Sequence, residues 1–383
     1  MRRYSLHCSS INKVFGGADV AIILNSLDID CYRGINSLRL DGFNHVNILV
    51  GDNNAGKTSV MEMISILKAP LSLNVWNEIA IKRTDNYRGA MFYPAYQNLF
   101  PIDKEKRIEF AGIFTEYGTR SVLMTASEYE TNISEREKNR LNGLIRTGNQ
   151  NVEDEYVNTN VLDICINSNK EINEFEIYDF QRRPPRKNTF SNVKKTIQPD
   201  TIFIEPRSGL ENDFSFMKEV ILDSEDHDQL IEILKEFDPA ITGIISVEDM
   251  GKTAYYIRTS DHTNAIPISV YGDGLKKTLI IFAALATHKN GIVLIDEVET
   301  SIHTSAMKRV FSMLIRWARK LGIQLFVSTH SKEALDTLLN CDDDYRDGIN
   351  VYTLYRNEQK NYVRKVSCRE ALDLQNKMGM ELR

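Results

Sequence analysis

The sequence predicts an α/β fold: a mixed, largely parallel sheet with flanking helices, an antiparallel β subdomain and an inserted lobe. Three observations carry this. After residue 268, apolar runs such as "GIVLIDE", "IQLFVSTH" and "INVYTLYRN" alternate with helical stretches such as "TSAMKRVFSMLIRWARKLG" and "SKEALDTLL", the pattern of a parallel sheet with crossover helices. A glycine-rich turn, "GDNNAGKT" at 51–58, joins an apolar strand to a helix. Between 70 and 200, alternating runs such as "RIEFAGIF" and "RSVLMTA" read as antiparallel strands.

Strands are expected at 20–32, at "SLRLDGF" and at "HVNILVG". The third feeds "GDNNAGKTSVMEMISILKA", where Val60, Met63, Ile64, Ile66 and Leu67 mark a helix face. "SEREKNRLNGLI" predicts a short charged helix opened by Ser134. The stretch 146–200 is polar, rich in Asn and Glu, and reads as a lobe or arm ending in the basic run "QRRPPRKNTFSNVKK". Order returns at "DTIFIEP", with helices over 212–237, a hairpin from "AITGIISVEDM" to "TAYYIRTS", and a helix over 273–288. Three parts follow: 1–70, 71–200 and 201–383. There is no internal repeat, and no heptad pattern lasts three turns.

The 383 residues suffice for a large core, and 42% hydrophobic with 26% charged content is ordinary for a globular protein. Five scattered cysteines without a CxxC pair argue against a disulfide framework or a zinc site. No apolar run approaches the roughly 20 residues that cross a bilayer, and the N-terminus lacks the apolar stretch of a signal peptide. A cytoplasmic protein without a membrane partner is expected. A net charge of −6 gives no global reason to bind nucleic acid; a local patch at 181–195 is the candidate, with a solvated loop as the plainer reading.

"GDNNAGKT" fits G-x-x-x-x-G-K-[ST]. Gly51 and Gly56 let the backbone N–H groups of Asn53, Asn54, Ala55 and Ser59 turn toward phosphate. Lys57 would reach the terminal phosphates, Thr58 would ligate Mg²⁺, and the helix N-terminus favours the anion. "VLIDEVE" is a buried strand ending in acids: Asp296 is a candidate for the Mg²⁺ shell and Glu297 for the general base. His330 stands at the end of another apolar strand, 34 positions after Asp296. Parallel strands deliver their C-terminal ends to one rim, so His330 would meet the γ-phosphate or the attacking water there. A second glycine loop, "ISVYGDGLKKTL", offers Ser269, Gly272, Gly274 and Lys276; a simple helix cap at Asp273 is the alternative.

Together these segments resemble ABC-superclass ATPases, in the branch holding RecF, the SMC proteins and the OLD (overcoming lysogenization defect) family. "GDNNAGKTS" is similar to Walker A, and "VYGDGLKK" stands where that superclass has its signature. "VLIDEVETSIH" is similar to Walker B plus D-loop, with Glu299 and His303 fitting the OLD-like variant; "VSTHS" is similar to the switch-histidine segment. "CYRGINSLRLDGFNHVNILVG" is similar to the OLD-like entry into Walker A; Arg33 in it is a candidate for the phosphates, with an exposed hairpin arginine as an equal reading. Gln97 is the candidate for the metal-sensing glutamine.

The resemblance implies a homodimer or higher oligomer in which the signature of one copy caps ATP·Mg²⁺ held by the other. It implies an ATPase switch without the C-terminal Toprim nuclease of full-length OLD proteins, controlling a separately encoded nuclease or toxin in phage defence. A RecF-like repair or recombination ATPase that clamps DNA directly is the alternative. A transporter subunit fits less well, because the insertion before the signature is long.

Overall fold

The computed structural model describes residues 22–82, 91–102, 104–143, 155–185, 199–206, 217–249, 252–340, 343–357 and 360–378. In chain order, the hairpin β1 (Leu24–Tyr32) and β2 (Ile35–Asp41) is followed by β3 (Val46–Val50) and helix α1 (Lys57–Ile66). Helices α2 (Leu73–Lys82) and α3 (Phe92–Gln97) precede β4 (Arg107–Phe114), β5 (Gly118–Ser134), α4 (Glu135–Leu141), β6 (Tyr156–Ser168) and β7 (Glu171–Tyr178). Then come β8 (Thr201–Ile204), α5 (Met217–Leu222), α6 (Ser224–Phe237), β9 (Ile241–Asp249), β10 (Lys252–Thr259) and β11 (Ile266–Pro267). The last part runs α7 (Asp273–Thr287), β12 (Ile292–Ile295), α8 (Thr304–Lys320), β13 (Gln324–Thr329), α9 (Lys332–Leu339), β14 (Ile349–Asn357), β15 (Lys360–Ser367) and α10 (Cys368–Met378).

The central sheet has the order β15-β14-β3-β13-β12-β8. Its strands are parallel except β15, which pairs antiparallel at one edge. These strands read as unbroken apolar runs because both faces are covered. Val46, Ile48, Val50, Val293, Ile295, Leu325, Val327 and Val351 point into a core built with α7, α8 and the β9–β10 hairpin. Leu49, Ile292, Leu294, Phe326, Tyr352 and Leu354 point the other way, into a core shared with α1, α2, α3 and the second sheet. That second sheet, β2-β1-β4-β5-β6-β7, is antiparallel throughout. Past Thr125, where β4 ends its pairing, β5 and β6 continue together to the pair Ser134 and Tyr156. There Ser134 caps α4 by accepting from the Glu137 N–H. Among the described residues no helix is long and apolar enough to cross a membrane.

Two features of the middle region differ from the sequence expectation. Two helices, α2 and α3, stand where β structure was expected; they bury Trp76, Ile79, Phe92 and Tyr96 against the second sheet. Within the polar stretch after 146, β6 and β7 form regular strands of that sheet. Leu162, Ile164, Ile166, Phe175 and Ile177 supply the inward face, and the intervening Asp163, Glu174 and Glu176 lie on the other. Of the basic run, Arg182 and Arg183 are exposed; residues 186–195 lie outside the described residues.

A buried amide is one of the links between the two sheets, beside the bonds of Asn36 N–H to Asn361 Oδ1 and of the Tyr352 hydroxyl to the Asp41 carbonyl. Gln324, fully buried, accepts from the Leu24 N–H at 2.8 Å and donates to the Leu24 and Asn44 carbonyls at 2.8 and 3.2 Å. A Gln324→Ala variant leaves those backbone groups without these partners. It is expected to lose about 2–3 kcal/mol of stability, read as a lower urea midpoint with an unchanged m-value.

Candidate nucleotide-binding and hydrolytic site

The site forms at the C-terminal rim of the central sheet. From β3 the chain enters a loop whose residues Gly51, Asn54 and Gly56 have φ of 143°, 66° and 101°. A side chain at Gly51 would run into the Leu354 carbonyl, and one at Gly56 would press on Ile35 Cδ1 at 3.0 Å. Both positions therefore need glycine for space as well as for backbone angle. Asp52, Asn53 and Asn54 are exposed, and Ala55 is buried. Lys57 Nζ folds back to donate to the Gly51 and Asp52 carbonyls at 2.7 and 2.9 Å. Burial pushes this amine's pKa down, against the pull of Asp296, Glu297, Glu299 and Asp52. Ser59 is buried in the first turn of α1.

Thr58 Oγ1 donates to Asp296 Oδ2 at 2.7 Å, joining α1 to the end of β12. Asp296 is only 3% exposed. Its other oxygen accepts from the Ser328 hydroxyl, and Ser328 Oγ accepts in turn from the Glu297 N–H at 2.9 Å. Thr58 and Asp296 form an all-oxygen pair at a helix N-terminus, the hard-donor chemistry that suits Mg²⁺. Among the described residues no group of three or more His, Cys, Asp or Glu side chains could hold a metal ion. That fits a cation that keeps water and phosphate oxygens in its shell.

Beyond Asp296 the chain makes two left-handed residues, Glu297 at φ 45° and Ser301 at φ 67°. Glu297 Oε2 accepts from Thr300 Oγ1 at 3.2 Å, leaving its carboxylate at the open rim, 38% exposed. His330 Nδ1 lies 3.8 Å from Glu297 Oε1 and 3.4 Å from Glu299 Oε1. His303 caps α8, accepting from the Ser305 N–H.

The second glycine loop starts α7. Ser269, Gly272 and Asp273 are exposed and Val270 is 72% exposed. A Cβ built on Gly272 meets nothing, whereas one on Gly274 lies 2.8 Å from the Ser301 carbonyl. Lys276 pairs with Asp273 at 3.1 Å within its own helix. The next lysine, Lys277, is buried and donates to the Glu205 and Pro206 carbonyls. Burial pushes its pKa down to about 8.

The structure thus gathers Gly51–Ser59, Asp296, Glu297 and His330 at one rim. Gln97 goes elsewhere: its amide donates to Glu128 on the second sheet at 2.6 Å, because α3 packs there. Arg33 turns inward rather than into the loop. It lies over the Tyr32 ring, with Nε 3.6 Å from Glu62 Oε2, one helical turn past Thr58. Sequence reasoning missed Ser328 and Lys277. The signal for Ser328 was a hydroxyl at the end of a buried strand beside "DE"; for Lys277 it was a charged residue on the inward stripe of α7.

Residues 165–336 match the family described as "AAA domain, putative AbiEii toxin, Type IV TA system". The chain is 23% identical over 341 residues to an ATP/GTP phosphatase of Helicobacter pylori, covering 82% of this chain and 87% of that one. Over 114 residues it is 31% identical to the Methanocaldococcus jannaschii protein MJECL11, spanning 29% of this chain and 98% of that protein. A solved SMC head bound to the C-winged helix domain of ScpA is similar at 12% identity and a TM-score of 0.48, over 91% of this chain and 100% of that one. A phosphate loop, a Thr58–Asp296 pair and a strand-end histidine thus share one rim, and with similarity to an AAA-domain family and to an ATP/GTP phosphatase the chain has the make-up of a P-loop ATPase.

Proposed function

We propose that the chain is an ATP-driven switch whose two copies close over shared nucleotides and govern a separately encoded effector. The observation that carries this is the asymmetry of the second glycine loop. Gly274 is packed against its own chain, while Gly272 faces open space with Ser269 and Asp273 exposed beside it. A glycine that nothing in its own chain requires is suited to the close approach of another copy's triphosphate.

In this reading Lys57 exchanges the Gly51 and Asp52 carbonyls for β- and γ-phosphate oxygens, and the N–H groups of the loop and α1 surround the anion. Thr58 and Asp296 would hold Mg²⁺, which when bound neutralises phosphate charge. Glu297 accepts the proton of the attacking water as it adds to the γ-phosphorus, and the bond to the β–γ bridging oxygen breaks. His330, 47% exposed beside Glu297, donates toward the departing phosphate. Loss of the γ-phosphate removes the contact shared by the two copies, so hydrolysis favours opening. The family description, which names a putative AbiEii toxin of a type IV toxin–antitoxin system, supports action within a partner-coupled system.

Glu297→Gln is expected to lower ATP turnover about 100-fold or more while ATP-dependent dimer accumulates in size-exclusion chromatography; Lys57→Ala is expected to lose nucleotide binding in calorimetry. Gly272→Arg is the sharper test. The free space at Gly272 predicts an unchanged melting temperature and unchanged ATP binding by the monomer, with dimer formation and turnover lost. Normal turnover in Gly272→Arg overturns the shared-site reading.

A further inference from the structure

We infer that Glu299 is the positioning residue of the switch segment, fixing where His330 stands relative to Glu297. The inference rests on the hydrolytic reading for its effect on rate, but its structural part stands alone.

Glu299 is held in the turn after Glu297. Its side chain is 9% exposed, far more buried than the neighbouring Glu297 and His330. One oxygen, Oε1, accepts from three groups of another strand's end: Thr329 Oγ1 at 2.7 Å, the His330 N–H at 3.2 Å and the Ser331 N–H at 3.3 Å. Two of those are backbone donors just before α9, the Ser331 N–H being shared with Thr329 Oγ1 at 3.0 Å. The same oxygen lies 3.4 Å from His330 Nδ1. Glu299 therefore touches the switch residue through both its backbone and its ring.

The arrangement is reciprocal. Ser328, at the end of β13, reaches across to Asp296 and to the Glu297 N–H. Glu299, after β12, reaches back to residues 329–331. The Val298 N–H also donates to the Ser328 carbonyl at 3.0 Å. Each strand end is thus held by a side chain from the other, and His330 cannot shift without breaking the contacts to Glu299. A second observation separates this from a simple cap. Glu299 Oε2 is buried without a hydrogen-bond partner. An oxygen left so costs stability, and its charge is felt at Lys57 and at Lys277.

The test uses Glu299→Ala and Glu299→Gln in the full chain. The amide oxygen of Gln can accept the same three donors. Glu299→Ala is expected to lower kcat about tenfold to a hundredfold, as misplaced catalytic groups do, with nucleotide KM within about threefold of the parent; Glu299→Gln is expected to recover most of that loss. Hydrogen exchange at the His330 and Ser331 amides should speed about tenfold or more in Glu299→Ala, with α8 unchanged, and stay slow in Glu299→Gln. Parental turnover in Glu299→Ala, or unchanged exchange there, overturns the proposal, as does a Gln variant as slow as the Ala variant. Should Glu299→Ala fail to fold, Thr329→Val serves in its place. It is expected to lower kcat with KM kept, and parental kcat in it overturns the proposal. If the parent itself does not hydrolyse ATP, the hydrolytic reading falls, and the exchange rates still decide whether Glu299 holds the switch.

Discussion

The site depends on satisfying one buried carboxyl. Asp296 ends a central strand at 3% exposure, where an unpaired acid is costly. Its two oxygens are filled by Thr58, from the helix after the phosphate loop, and by Ser328, from the neighbouring strand. The Thr58 bond joins segments 238 residues apart in the chain, and the Ser328 bond joins neighbouring strands. Once they are made, the loop, the rim acid Glu297 and the strand carrying His330 have little freedom relative to one another. The order of strands matters for the same reason: β13 lies between β3 and β12, so Ser328 stands where both neighbours' ends can be reached.

Charge around this point is arranged in opposition. Lys57 and Lys277 are both buried amines whose pKa values fall through desolvation, and both sit in the field of Asp296, Glu297 and Glu299. Neither amine meets a carboxylate directly; each donates to backbone carbonyls instead. For Lys57, carbonyl oxygens are a weaker partner than phosphate, so the loop is preorganised without being locked. For Lys277, the contact ties the start of α7 to the end of β8. The second glycine loop is therefore anchored to the same sheet that carries the acids.

The half of the fold built on the central sheet was legible because its strands are covered on both sides and read as apolar runs. The phosphate loop was legible because its backbone angles and the Leu354 contact leave no alternative to glycine at fixed positions. The second sheet was harder. In β6, Leu162, Ile164 and Ile166 are buried while Asp163 between them faces water, but polar Asn158, Thr159, Asn160 and Asn167 on either side hid the period of two. Helices α2 and α3 are short, and their aromatic content resembles a strand's. Which of Lys276 and Lys277 faces inward depends on a rotation of one residue about the α7 axis, which spacing alone does not fix. Gln97 was chosen for its residue type, and packing of α3 decided otherwise. Glu299 was visible as a motif position, but its three donors come from a strand whose alignment with β12 only the fold supplies.

One margin of the central sheet has its own consequence. An outermost strand offers backbone groups on which a stray chain can polymerise. Of the two outer strands, β8 and β15, the eight-residue antiparallel β15 lies beside β2 and bears Lys360, Arg364 and Lys365, with Arg369 just after it. Lysines and arginines along such a margin repel a like margin and discourage ribbon-to-ribbon growth. Association along the backbone ladder is thereby disfavoured.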